Sequence, residues 1–294
     1  MITGRVLAPG TLEAAIELLG ADPDARPIAG GTGLFVGAAQ GRPLPTTLVR
    51  LDGIPGLDHV AVDHAGRIRI GAMARLRAIE RSPSLRRWAP GLVAAIESVA
   101  TGRIRNQATL GGNLALADPA HDPPPMLIAL DAMVHVHGPS GERSIPAGRW
   151  FVGAGITAAL PAELVTGVEL PPMSPGSCAS YASLVARTRD DYAIAAAAVR
   201  VDPSPGGEIA DLRVVVGALG PTPQRLTAIE AVLRGQRPSR ALVAEGMDLV
   251  PELVHPIGDL RAGADYRRAM AAVQVRRALT QALNAAGIGH DAWT

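Results

Sequence analysis

Two glycine-rich loops about eighty residues apart constrain this chain more than any other feature. They are Ala29-Gly30-Gly31-Thr32-Gly33-Leu34 and Thr109-Leu110-Gly111-Gly112-Asn113. Each follows strand-like or apolar residues and runs into further apolar ones. A glycine lets the backbone approach a ligand that a Cβ would hold away. Successive amides pointing one way make a nest for anionic oxygens. Neither loop ends in the Gly-Lys-Ser/Thr of a Walker loop, and neither has Gly-x-Gly-x-x-Gly spacing. Two nests in one domain suit a ligand with two linked phosphates, that is, a dinucleotide. Thr32, Thr109 and Asn113 add hydroxyl and amide groups suited to phosphate and ribityl oxygens. Asp122, thirteen residues beyond Thr109, is either an acceptor for a sugar-chain hydroxyl or the cap of a helix starting at 123.

The 294 residues allow two domains, and 48% apolar content is enough for a sizeable core. Aromatics are only 3%, so Ala, Leu, Val and Ile must fill that core. The formal charge of +1 argues against nucleic acid as a main partner. All 28 basic side chains are arginine, which excludes a lysine Schiff base. The lone cysteine, Cys178, cannot ligate an iron–sulfur cluster or a structural zinc ion. No leader pattern opens the chain, and no apolar run approaches the ~20 residues of a membrane span. A cytoplasmic protein is expected.

Periodicity predicts helices over 11–19, 92–100, 123–130, 224–234, 240–249 and 264–286. It predicts strands over 26–29, 47–51, 59–62, 68–71, 133–137, 181–188, 193–201 and 209–219. The proline-rich stretch from Pro171 to Gly176 is the best domain boundary. His135 and His137 share one face of a strand, but no third ligand lies near for a metal. Arg103 and Arg105 either offset a pyrophosphate, pair with a partner's carboxylates, or face solvent. No Ser-His-Asp set or Gly-x-Ser-x-Gly elbow supports hydrolysis.

At this point the motifs match a family. The first loop, then the run from Arg105 to Ala115, then Ala117-Asp118-Pro119-Ala120-His121-Asp122-Pro123-Pro124, resemble the FAD-binding medium subunit of molybdenum hydroxylases. That group includes the flavoprotein subunit of carbon monoxide dehydrogenase and the flavin domain of xanthine dehydrogenase. The likeness extends through the run from Glu163 to Pro171 and then Arg187-Thr188-Arg189-Asp190-Asp191-Tyr192-Ala193. It covers essentially the whole chain.

The resemblance implies an α+β protein. Residues 1–173 would form a two-subdomain FAD-binding domain of vanillyl-alcohol-oxidase type, with both subdomains α/β. Residues 174–294 would form a C-terminal α+β domain of antiparallel strands and helices. Residues Ala29, Gly30, Gly31, Thr32, Gly33 and Leu34 would wrap the pyrophosphate. Thr109, Gly111, Gly112 and Asn113 would take the cofactor's second side, and Asp122 a sugar-chain hydroxyl. Val165 would pack near the adenine end. Tyr192 would lie beside the isoalloxazine ring, or serve as an ordinary strand aromatic.

The implied role is electron transfer from iron–sulfur centres on a small partner subunit, through FAD, to an external acceptor. A molybdopterin-binding large subunit would complete a heterotrimer, present twice. The rival readings are a stand-alone FAD oxidoreductase of the vanillyl-alcohol oxidase or cell-wall reductase type, and a non-enzymatic nucleotide-binding module. The chain departs from the family pattern in three places. Gly33 stands where many relatives have Asp, Ser183 where xanthine dehydrogenase-like members carry Lys, and Arg5-Val6-Leu7 where an aromatic pair is usual.

Overall fold

The computed structural model describes residues 4–288. His290 lies outside them. The chain first builds a small parallel unit from β1 (Arg5–Leu7), α1 (Leu12–Ala21), β2 (Ala25–Ile28), α2 (Thr32–Ala39) and β3 (Thr47–Arg50). Its strand order is β1-β3-β2, with Thr47 opposite both Arg5 and Ala25. Thr11 caps α1 by accepting from the Ala14 amide at 3.2 Å. That helix lays Ala15, Ile16 and Leu19 on the sheet, and Val49, Leu51, Ile54 and Leu57 complete the local core.

The second unit is organised by a five-stranded sheet in the order β4-β5-β10-β6-β7. Its strands are β4 (Val60–Val62), β5 (Ile68–Gly71), β6 (Met133–Gly138), β7 (Gly141–Pro146) and β10 (Leu164–Leu170). All of its pairings are antiparallel. This corrects the expected alternating α/β form of the second subdomain. Helices are not interleaved one by one with strands. They are grouped between β5 and β6: α3 (Leu76–Arg81), α4 (Pro83–Trp88), α5 (Pro90–Glu97), α6 (Gly102–Arg105), α7 (Leu110–Leu116) and α8 (Pro123–Ala129). A short excursion of α9 (Ala147–Trp150), β8 (Phe151–Gly153) and β9 (Ile156–Thr157) precedes β10. Trp150 is fully buried there, and its indole N–H donates to the Leu114 carbonyl at 3.0 Å. That bond ties this excursion to the helix of the second glycine loop.

The third unit is the antiparallel sheet β11-β12-β13-β14, formed by β11 (Cys178–Val185), β12 (Ala193–Pro203), β13 (Ile209–Gly217) and β14 (Gln224–Arg225). Four helices follow: α10 (Thr227–Leu233), α11 (Arg240–Asp248), α12 (Val250–Leu253) and α13 (Ala264–Ala285). The alanine run of β12 is explained by its two faces. Ala196 and Ala198 face the core shared with α5 and α8, while Ala195, Ala197, Val199 and Val201 face the core under α13. A strand covered on both sides is apolar throughout, and small side chains let both layers approach. Helix is absent at Gln224 and Arg225, contrary to the expectation for 224–234. Those two residues extend the sheet, and Arg225 holds the buried carboxylate of Glu230 at 2.7 Å.

Charge ties the third unit to the second. Asp131, at the turn after α8, accepts from Arg200 at 2.8 Å and from Arg213 at 3.4 Å. Asp131 adopts φ +52°, which this turn requires. No helix among the described residues is long and apolar enough to cross a membrane.

Candidate cofactor site

The first loop is the turn between β2 and α2. The Leu51 amide holds the Ile28 carbonyl at 3.0 Å, which ends the strand. The chain then reverses through Gly31, at φ +71°, where a side chain would be strained. Gly31 also caps α2 without a side-chain acceptor. The N–H groups of Gly31, Thr32, Gly33 and Leu34 meet no acceptor among the described residues. Four free donors at a helix N-terminus favour a bound anion.

The second loop lies against the first. A Cβ on Gly30 would sit 1.9 Å from the Gln107 carbonyl oxygen, so only glycine permits this approach. A Cβ on Gly112 would come within 3.9 Å of the Ala29 Cβ. The two loops therefore share one crevice.

The second loop is not a free-amide nest, which corrects the expectation of two equivalent cradles. The Leu110 amide donates to Ala74 O at 3.1 Å, and the Gly111 amide to Ala72 O at 2.8 Å. The Gly112 amide donates to Thr109 Oγ1 at 3.1 Å, and the Asn113 amide to Thr109 O at 3.0 Å. Thr109 is thus the N-cap of α7. Gly111 packs on the backbone of Ala72 and is not on the crevice wall. What this loop offers a ligand is side chain and surface. Asn113 is buried at the wall, and its Oδ1 has no partner among the described residues.

The crevice encloses about 450 Å³. Ala29 to Leu34, Thr109, Gly112, Asn113, Asp122 and Tyr192 all line it. Val165 does not: it is buried opposite Val136 in the core of the five-stranded sheet. A side chain on Gly33 would meet only the flexible tip of Leu116.

Asp122 lies at the start of α8 but makes no cap. Its backbone is helical, at φ −78° and ψ −40°, and its side chain bonds no backbone amide of that helix. Instead the Tyr181 hydroxyl donates to its Oδ1 at 2.7 Å. Burial pushes the Asp122 pKa up to about 7, against the lowering effect of that bond. His121 places Nδ1 3.1 Å from the Asn113 carbonyl, and burial holds its pKa below the usual value.

The crevice is completed from the third unit by Asp190, Asp191 and Tyr192. The Arg261 guanidinium stacks 4.8 Å from the centre of the Tyr192 ring. Sequence reasoning missed Tyr181 and Arg261. Tyr181 lies 59 residues from its partner Asp122, and nothing local marks the contact.

Arg105 takes none of its expected roles. It is 11% exposed, pairs with Glu80 at 2.8 Å, and donates to the Val99 and Ala100 carbonyls. Arg103 is exposed. His135 bonds Ser144 at 2.7 Å, and His137 stands 3.6 Å from Glu142.

The residues present fit a dinucleotide: free amides for a pyrophosphate, an orphaned buried amide oxygen, and a carboxylate at the wall. Comparison with known proteins agrees. A family described as the FAD binding domain in molybdopterin dehydrogenase matches residues 2–173, and the CO dehydrogenase flavoprotein C-terminal domain matches residues 180–282. The nicotine 6-hydroxylase medium subunit of Paenarthrobacter nicotinovorans is 32% identical, over 95% of this chain and 96% of that protein. The carbon monoxide dehydrogenase medium chain of Hydrogenophaga pseudoflava is 30% identical, over 94% and 95%. A solved structure of carbon monoxide dehydrogenase from Hydrogenophaga pseudoflava superposes with a TM-score of 0.92, covering 96% of this chain and 98% of that one at 31% identity. Quinoline 2-oxidoreductase from Pseudomonas putida 86 gives 0.89, with 96% and 98% covered at 28% identity. A protein with these two domains in this order, and this crevice between its loops, belongs to the FAD-binding medium-subunit family of the molybdenum hydroxylases.

Proposed function

We propose that this chain is the flavin-carrying electron-transfer subunit of a heterotrimeric molybdenum hydroxylase, assembled twice and working in the cytoplasm. In this reading residues 1–173 hold the cofactor and residues 174–294 close the crevice. FAD, when bound, supplies a redox centre that takes electrons from iron–sulfur clusters on a small partner subunit and yields them to an external acceptor. A molybdopterin-binding large subunit would carry the substrate chemistry.

The observation that carries this reading is the crevice itself. The free N–H groups of Gly31 to Leu34 would bind the pyrophosphate through the α2 N-terminus. Thr32 and Thr109 would stand beside it, with Gly30 and Gly112 keeping the backbones close. Asn113 and Asp122 would accept from or donate to the sugar chain, with Tyr192 beside the ring. Val165 would then act only through the sheet beneath. No side chain is required as acid or base toward an organic substrate.

Separate metal centres are supported by the sequence: one cysteine cannot ligate a cluster.

Purification of the protein from its host in its native assembly is the test. The reading expects a flavin spectrum that dithionite bleaches, with iron and molybdenum co-purifying. An assembly without flavin overturns it. A flavin reduced by an organic substrate in the chain alone, with no metal present, favours the stand-alone oxidoreductase.

A further inference from the structure

Asp122 lies on the crevice wall in the second unit, yet its carboxylate is held from the third. Tyr181 sits on β11, beyond the boundary at Pro171 to Gly176. It is 8% exposed, and Asp122 is 6% exposed. The Tyr181 O–H reaches Asp122 Oδ1 at 2.7 Å. Oδ2 has no hydrogen-bond partner among the described residues, and Asp122 lies on the crevice wall. The hydroxyl thus fixes one oxygen of the carboxylate and leaves the other without a donor, at a residue that lines the crevice.

We infer that Tyr181 is a positioning residue for FAD: from the C-terminal domain it orients the Asp122 carboxylate and favours its ionised form, so that Oδ2 accepts a cofactor hydroxyl. This rests on the cofactor role proposed for Asp122. The physical need is plain. A carboxylate buried this deeply takes up a proton near neutral pH, because burial pushes its pKa to about 7. A protonated acid is a poorer acceptor for a hydroxyl. One donated hydrogen bond opposes protonation and removes the rotational freedom of the group. Tyr181 itself stays protonated, since burial and the neighbouring Asp122 charge raise its own pKa well above the ordinary value.

The other titratable groups on the wall are His121, turned to the Asn113 carbonyl, and Asp190, Asp191 and Tyr192 from the opposite loop. Arg26 also lines the crevice, but its guanidinium turns back to the Pro23 and Ala25 carbonyls. No cation among the described residues bonds Asp122; the phenol is the larger influence favouring its charge, and its own backbone amide is the smaller one.

The test uses the full protein in its native assembly, stripped of flavin and titrated with FAD between pH 6 and pH 9. In the unaltered protein the dissociation constant is expected to rise as pH falls through about 7. Tyr181→Phe is expected to move that rise to higher pH by about a unit. Binding is then several-fold to tenfold weaker near pH 7 and much less affected at pH 9. Asp122→Asn is expected to be weak and flat with pH, and the double variant is expected to match it. A Tyr181→Phe loss that is equal at every pH, or no loss at all, overturns the inference while Asp122 keeps its role. An Asp122→Asn protein that binds FAD normally overturns that role and the inference with it. Infrared spectra of the unaltered protein with 13C-labelled aspartate need no variant. They should show a protonated carboxyl that titrates near neutrality and ionises when FAD is added. Its absence overturns the inference.

Discussion

The carbonyl oxygen of Gln107 occupies the space that a side chain at Gly30 would need, 1.9 Å from the ideal Cβ position. The contact joins two loops far apart in sequence, and their crevice exists because this approach is possible. Gly30→Ala must push backbone against backbone, which has no rotamer to yield. The expected cost is about 3 kcal/mol or more. Chemical denaturation should read it, together with loss of bound flavin. A Gly33→Ala control meets only the Leu116 tip and should fall far below that cost.

Thr109 shapes the second loop through its hydroxyl. Thr109→Ala removes the acceptor for the Gly112 amide and the cap of α7. A loss of about 1 kcal/mol in stability is expected. Thr109→Ser keeps the acceptor and should recover most of it. Melting temperatures of the three proteins decide the matter.

Asp122 makes the flavin-free protein pH-dependent in a direction opposite to a surface carboxylate. Its folded pKa is raised to about 7 from 3.8, so the folded state holds a proton that the unfolded chain releases. The protonated group's contribution is fully present below about pH 4 and is lost as pH rises through about 7. Relative to Asp122→Asn, the flavin-free protein should lose on the order of 4 kcal/mol between those limits. Urea midpoints of both proteins at pH 5 and pH 8 measure the difference. A constant gap between them sinks the prediction.

Glu80 and Arg105 form a buried pair beneath the crevice, and Arg77 also donates to Glu80. Burial raises the Glu80 pKa, but the hydrogen bonds from Arg105 and Arg77 outweigh it and hold the carboxylate below its usual range. Arg105→Ala leaves that charge short of a partner and two carbonyls without a donor. A loss of about 3 kcal/mol is expected. Glu80→Gln/Arg105→Met, which removes both charges, should be milder than Arg105→Ala. Equilibrium unfolding of the two proteins tests this order.

Much of this architecture is written locally. The helix at Leu12–Ala21 shows its apolar stripe and its Thr11 cap in sequence, and β12 and β13 show as apolar runs closed by Asp202-Pro203 and later glycines. Gly30, Gly31, Thr109 and Asn113 announce a tight backbone, and the structure does bring them to one crevice. What sequence could not carry was the partner of each group. Asp122 reads equally as a helix cap or a sugar-hydroxyl acceptor, but the cap is absent and a phenol 59 residues away holds the carboxylate. Arg105 reads as a ligand or surface cation until Glu80, 25 residues earlier, is seen against it. The amides of the second loop read as free until Ala72 and Ala74 are found accepting from them. The short helices α3, α4, α6 and α7 escaped periodicity because each is too brief to complete an apolar stripe.

The exposed stretch from Pro171 to Gly176 is the only covalent link between halves that also meet through Asp131 with Arg200 and Arg213, and through Asp122 with Tyr181. A protease that severs this strap would leave two fragments still gripping each other. They should comigrate as one particle under native conditions and separate only when denatured, so a nick there would alter the gel pattern long before it released any flavin.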